Sequence, residues 1–158
     1  MEPLNDVETQ AWRAFLVLWR LGLPEFDRTL RTEGLIHLEY GILAVLREAP
    51  DQTMPAGEIA ALAGVSSSRL SHRLRVMESR GDVTRCTSPL DGRGVLVTLT
   101  EQGDAKVARL ADRHTADIRR VMFDPLTAQQ TAALADALMT IARRLSDHPF
   151  LTPGDRVS

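Results

Sequence analysis

Apolar residues recur along most of the chain at three- and four-residue steps, the period of helices that pack by one face. Val7 to Leu21 places Trp12, Phe15 or Leu16, and Trp19 in this way, and the pattern continues through Leu23, Phe26 and Leu30. Gly22 and Pro24 interrupt it. A proline inside a helix removes a hydrogen bond and crowds the preceding turn, so a kink near Leu21 to Pro24, or a division into two helices, is expected. After a turn at Glu33 and Gly34, His37 to Arg47 carries Leu38, Ile42 or Leu43, and Leu46 on one face and stops at Ala49-Pro50-Asp51, which predicts a short buried helix.

Gly57 to Ser66 reads as a brief helix, a turn centred on Gly64, and a serine at the N-cap of another helix. A short helix joined by such a turn to an amphipathic one is the helix-turn-helix signature. In the helix that follows, Ser67 to Arg80, an advance of about 100° per residue gathers Leu70, Leu74 and Met77 in a narrow arc. Ser68, Ser71, His72, Arg75 and Ser79 fall on the opposite side, and Gly81 is a natural residue just past the helix end. Two short alternating segments, Val83–Thr87 and Val95–Leu99, then enclose a stretch dense in turn formers and tipped by Arg93, a β-hairpin with a projecting loop.

From Glu101 to about Met122, the residues Val107, Leu110, His114, Ile118 and Val121 recur at steps near 3.5, the spacing of a helix packed lengthwise on another. Asp124-Pro125 breaks it, Thr127 to Gln130 is a capping box, and Leu134, Leu138, Ile141 and Leu145 form the seam of a last helix ending before Pro149. The tail after Phe150 is expected to fray. The pattern predicts one domain over 1–158, mainly α with a small β-hairpin: a winged helix-turn-helix over 35–100 between long terminal helices over 5–32 and 101–147.

Composition agrees. With 44% hydrophobic and 25% charged residues the 158-residue chain is an ordinary globular domain, and 4% aromatic content with abundant Leu, Ala and Val favours helices over a sheet sandwich. No basic region followed by an apolar run opens the sequence, and no segment nears the roughly 18 uninterrupted apolar residues of a membrane span, so a cytoplasmic protein is expected. The single cysteine, Cys86, excludes an intramolecular disulfide framework and a multi-thiolate zinc site; in a strand it is expected to be a small buried hydrophobe rather than an oxidation sensor. A net charge of -2 conceals segregation: between Ser66 and Val97, Arg69, Arg73, Arg75, Arg80, Arg85 and Arg93 face only Glu78, Asp82 and Asp91.

A major groove about 12 Å wide accepts one helix, and side chains that reach base edges there are donors or acceptors of modest size. Ser67, Ser68, Ser71, His72 and Arg75 answer that description, with Arg75 the leading candidate for a bidentate base contact; Ser66 and Arg69 stand at the same helix start. At the hairpin tip, Arg93 suits a narrow minor groove with its enhanced negative potential. Asp91 either clasps that guanidinium or simply forms the turn. These features assign double-stranded DNA as the partner.

Asp91-Gly92-Arg93 followed by Val95 to Leu99 and then Leu99-Thr100-(x2)-Gly103 resembles the wing pattern of the multiple-antibiotic-resistance regulator (MarR) family, and Leu62 to Ser66, Leu70-Ser71 and Leu74-(x2)-Met77-Glu78-(x2)-Gly81 are similar to its recognition segment. Gly94 departs from the serine or alanine common after the wing arginine, and Met77 from the usual leucine. The resemblance implies a homodimeric regulator of transcription, most often a repressor, whose terminal helices interlock so that two recognition helices meet a palindromic operator. It also implies a small aromatic effector that wedges between the dimer region and the reading heads, for which Trp12, Phe15, Trp19, His37, Tyr40 and His114 are the candidate lining residues. The alternative with the same fold is a nucleoid or protein-interaction module without ligand response. An enzyme is disfavoured: no Gly-rich phosphate loop, paired carboxylates or nucleophile triad is recognisable. No metal or other cofactor is expected, since His37, His72, His114 and His148 are far apart in sequence.

Overall fold

The computed structural model describes residues 2–87 and 94–145. The chain is mostly helical, with a small antiparallel sheet drawn from its middle third. Helix α1 (Asp6–Val17) starts on a reciprocal cap, the Asn5 side chain accepting from the Glu8 amide at 2.9 Å while Glu8 accepts from the Asn5 amide at 2.8 Å. It ends in a π-helical turn, Leu18–Gly22, followed at once by α2 (Leu23–Phe26), with Pro24 in its first turn. The expected interruption is therefore a widened turn ahead of the proline, which removes the clash its ring would make in an unbroken α-helix. Helix α3 (Arg28–Arg31) and a turn through Gly34 lead into α4 (His37–Glu48).

The winged part follows. A 3-10 turn (Pro50–Gln52) and strand β1 (Thr53–Pro55) precede α5 (Ala56–Leu62) and α6 (Ser67–Ser79). Both α5 and α6 end on a glycine at positive φ, Gly64 at +61° and Gly81 at +78°. In each case the amide after the glycine returns to a carbonyl of the last turn, Val65 to Ala60 at 3.1 Å and Asp82 to Met77 at 2.9 Å. Strands β2 (Val83–Thr87) and β3 (Val95–Leu99) pair antiparallel from Val83 opposite Leu99 to Thr87 opposite Val95. β1 adds to the other side of β3, giving the order β1-β3-β2. That third strand was not among the elements the pattern predicts: three residues ending in proline are too few to display a period of two.

Helix α7 (Glu101–Ile118), a π-helical turn (Arg119–Phe123) and α8 (Ala128–Leu145) complete the described residues. The predicted capping box is present, with the Thr127 hydroxyl accepting from the Gln130 amide at 3.2 Å and Gln130 accepting from the Thr127 amide at 2.9 Å. One core joins Leu30, Ile42, Leu43 and Leu46 to Ile59, to the α6 face Leu70, Leu74 and Met77, to Val97 and Leu99 of the sheet, and to Val107 and Leu110 of α7. By contrast α1 and α8 bury no residue in the protomer. Trp12 and Phe15 on α1, Trp19 in the turn after it, and Leu138, Ile141 and Leu145 on α8 are exposed.

One expectation is corrected. Cys86 is exposed rather than a buried hydrophobe. It lies on an edge strand whose Val83 faces the core, and the alternation of a strand sends residue 86 to the other side. Far apart in sequence, His37 of α4 and His114 of α7 are brought to 5.9 Å between ring centres. Asp91, Arg93, His148 and the tail after Phe150 lie outside the described residues.

Candidate nucleic-acid interface

Helix α6 is held by its apolar side and open on its polar side. Leu70, Leu74 and Met77 are at most 2% exposed, whereas Ser67, Ser68, Arg69, Ser71, His72 and Arg75 are all exposed. Ser66 caps the helix as the pattern predicts, its hydroxyl accepting from the Arg69 amide at 3.3 Å, and no acidic residue stands in the first turn. Seven hydroxyl, imidazole and guanidinium groups thus line a helix that packs against α5 in a helix-turn-helix, the geometry that lays one polar helix face into a groove.

The arginines are not equivalent. Arg73 Nη1 lies 3.6 Å from Glu39 Oε1, and Arg80 Nη2 lies 3.1 Å from Glu39 Oε2. Arg80 also donates to Asp82 through Nε at 3.0 Å and to the Gly34 carbonyl through Nη1 at 2.8 Å. Arg85 grips Glu78 with two nitrogens, at 2.9 and 2.5 Å, and this hydrogen bonding holds the Glu78 carboxyl below its ordinary range. Three of the six arginines counted along the sequence are therefore tied to acidic groups of the fold. Among the described residues, Arg69 and Arg75 are the exposed ones on α6 without such a partner.

Sequence reasoning missed Glu39, Asp82 and Lys106. Glu39 and Asp82 are 1% and 0% exposed, and Lys106 pairs with Asp82 in a buried bond. The available signal was a charged residue inside an otherwise apolar period: Glu39 follows Leu38, and Lys106 precedes Val107.

The six residues expected to line an effector crevice fall into two groups. Trp12 stacks on Phe15 along the exposed face of α1 at 5.6 Å between ring centres, and Phe15 meets Trp19 of the following π-helical turn at a tilt, at 6.1 Å. His37, Tyr40 and His114 meet at the junction of α4 and α7, with Tyr40 edge-on to His114 at 4.7 Å. His114 is 5% exposed, and its Nδ1 donates to the Phe26 carbonyl at 3.1 Å. Burial, and then the neighbouring His37, lower its pKa; burial raises that of Tyr40, against a smaller opposing effect of Arg47. Of the six, His37 also lines an apolar pocket of about 290 Å³ between α4 and α5, with Leu38, Gly41, Ile42, Val45 and Leu62. Among the described residues there is no cluster of three or more His, Cys, Asp or Glu arranged to hold a metal, and no helix is long and apolar enough to cross a membrane.

A helix-turn-helix with a β-hairpin behind it and a polar recognition helix defines a winged-helix DNA-binding protein. A sequence model of the MarR family matches residues 33–94. The HTH-type transcriptional repressor Mb2911 of Mycobacterium bovis is 33% identical over 106 residues, covering 65% of this chain and 72% of that one. Two solved structures from Streptomyces coelicolor extend the likeness to nearly full length. AbsC, a MarR family transcriptional regulator, superposes with a TM-score of 0.86 at 34% identity over 92% of this chain and 98% of that one. Sco3205, a MarR family transcriptional regulator in complex with DNA, gives 0.87 at 32% identity over 96% and 98%. The chain belongs to the MarR family of DNA-binding transcriptional regulators, and it is a regulator rather than an enzyme.

Proposed function

We propose that this protein is a cytoplasmic homodimeric repressor that binds a palindromic operator and leaves it when a small aromatic molecule binds. The observation that carries the reading is the outward face of α6, which offers Ser67, Ser68, Arg69, Ser71, His72 and Arg75 to a major groove while its other face is locked in the core. Ser66, at the helix start, is placed to donate to a phosphate. Arg93 is assigned to the adjacent minor groove, with Asp91 near it in sequence as its clasp or as a turn former. Repression follows the name of the mycobacterial relative, and contact with duplex DNA follows the Sco3205 complex.

Dimerisation is assigned to the segments over 5–32 and 101–147, in which the apolar faces of α1 and α8 have no cover within the protomer. One recognition helix reads only a few base pairs, so two are needed, about one helical turn apart. The effector is assigned to the junction where His37, Tyr40 and His114 meet; Trp12, Phe15 and Trp19 form a second aromatic group along α1 and the turn after it.

The test is to select fragments from the genome of the source organism and measure affinity by titration. Arg75→Ala is expected to weaken binding by about 1–3 kcal/mol, roughly 5- to 150-fold, and to relax preference at one base pair. Arg93→Ala is expected to weaken it with A·T-rich flanks most affected. Added aromatic carboxylates or phenols are expected to release the fragment. If both alanine variants stay folded and bind every duplex as the wild type does, the reading is wrong.

A further inference from the structure

We propose that Lys106 and Asp82 are positioning residues for operator recognition: with Arg80 and Glu39 they clamp the end of the recognition helix to the start of α7, and so set the separation of the two reading heads. The inference rests on the dimeric, palindrome-binding reading above and adds the part that decides which half-site spacing is accepted.

Four charges from four places in the chain meet in this largely buried chain of contacts, and Arg73 of α6 approaches its Glu39 end to 3.6 Å. Glu39 comes from α4, Arg80 from the C-cap of α6, Asp82 from the turn before β2, and Lys106 from the second turn of α7. Arg80 bridges Glu39 at 3.1 Å and Asp82 at 3.0 Å, and the second Asp82 oxygen takes the Lys106 ammonium. Glu39 also accepts from the Ile36 amide at 3.2 Å, which anchors the network to the start of α4. Around it the first turn of α7 is fastened to the same corner. Thr100 Oγ1 donates toward the Gly81 and Asp82 carbonyls at 2.6 and 3.0 Å, and Gln102 donates to the Arg80 carbonyl at 2.7 Å.

Core packing alone does not explain these charges. Removing carboxylates and an ammonium from water is costly, and buried ion pairs can often be replaced by apolar side chains of similar volume without loss of stability. Ionic contacts add direction: a planar guanidinium that donates through Nε to Asp82 and through Nη1 to the Gly34 carbonyl, with Glu39 as its counter-charge, fixes the rotation of the helix end that carries it. The apolar contacts of Leu70, Leu74 and Met77 fasten α6 to the core but lack that directionality. Because α7 runs on through Arg119–Phe123 to α8, a displacement of the dimer region reaches α6 through Lys106 and Asp82.

The experiment uses the full chain and a palindromic duplex selected by the wild type from a random pool. Its half-site spacing is then lengthened or shortened by one and two base pairs, and a single half-site duplex serves as reference. The wild type is expected to prefer the selected spacing by at least about tenfold, the scale of one mismatched base pair. Lys106→Met is expected to shrink that preference to about threefold or less with half-site affinity unchanged, while Lys106→Arg retains it. If Lys106→Met does not fold, Asp82→Asn, of equal volume, reads the same ratio. A folded dimeric variant with wild-type spacing preference, or with equal losses on full and half sites, overturns the inference. A wild type that selects no duplex instead overturns the DNA reading beneath it.

Discussion

Arginine charge between Ser66 and Val97 is one number in the sequence and several different environments in the protein. Arg73, Arg80 and Arg85 are committed to Glu39, Asp82 and Glu78, so the local excess of positive charge overstated what the surface offers to phosphate. The helical period places Arg73 beside the apolar arc and Arg75 away from it, but the partner that ties up Arg73, Glu39, lies more than thirty residues upstream and is brought beneath it only by the fold. His114 shows the same dependence on context with a measurable consequence. It is buried against Tyr40, faces His37 from α4, and has Asp27 and Asp117 nearby. Burial is the leading cause that lowers its pKa in the fold, so the unfolded chain takes up the proton first as pH falls. Its contribution to stability is therefore complete above about pH 6.5, the ordinary histidine value, and is lost as pH falls through that value toward the lowered one. Urea unfolding midpoints are expected to drop between pH 7 and 5 in the wild type, and to drop less in His114→Gln, which can keep a hydrogen bond to the Phe26 carbonyl. An identical pH dependence in the two proteins would contradict the assignment.

Elements were legible where a period and a cap coincided. Helix α6 joined a clean apolar arc to a serine N-cap and a glycine just past its end, and all three are present; α8 likewise followed its capping box. β1 was illegible because its reason for existing is β3, which lies more than forty residues away. The side of β2 that Cys86 occupies was equally hidden, since five residues alternate without saying which set faces inward. Pro24 announced an interruption, but the sequence did not distinguish a π-helical turn from a kink. Gly103 is an intermediate case, visible as part of a resemblance and explained only by the fold. A Cβ there would collide with the Asp82 carbonyl oxygen and sit 2.8 Å from Leu99 Cδ1. Gly103→Ala gains about 1 kcal/mol of helix propensity. Overpacking costs typically 1–3 kcal/mol and occasionally more. The obstacle here is backbone held by Thr100 rather than a movable side chain, which takes the cost to the top of that range. A net loss of about 2 kcal/mol is expected, seen as a Tm lower by roughly 4–8 °C; an unchanged or raised Tm would mean that the corner between β2 and α7 yields.

At the scale of the whole molecule, the distribution of burial is the informative feature. The winged part and the first half of α7 enclose a complete core, while α1 and the turn after it present Trp12, Phe15 and Trp19 outward, and α8 presents Leu138, Ile141 and Leu145. Exposed large apolar side chains repeated along one helix face are the pattern of an association surface. In a two-fold dimer every substitution is made twice, so a charge placed in the seam acts on both sides of the same contact. Leu138→Glu is chosen because it lies in the middle of α8, away from the core and from α6. If each copy loses about 2 kcal/mol, the scale of an interface hot spot, the dimer weakens by about 4 kcal/mol, roughly a thousandfold. Sedimentation at micromolar concentration is expected to give a dimer for the wild type and a monomer for Leu138→Glu. Circular dichroism separates a folded monomer from general unfolding. The operator affinity of a folded monomer should then fall to that of a single half-site, because α6 itself is untouched. A variant that remains dimeric and keeps its affinity for the full palindrome would remove α8 from the interface and leave its apolar seam in need of another occupant.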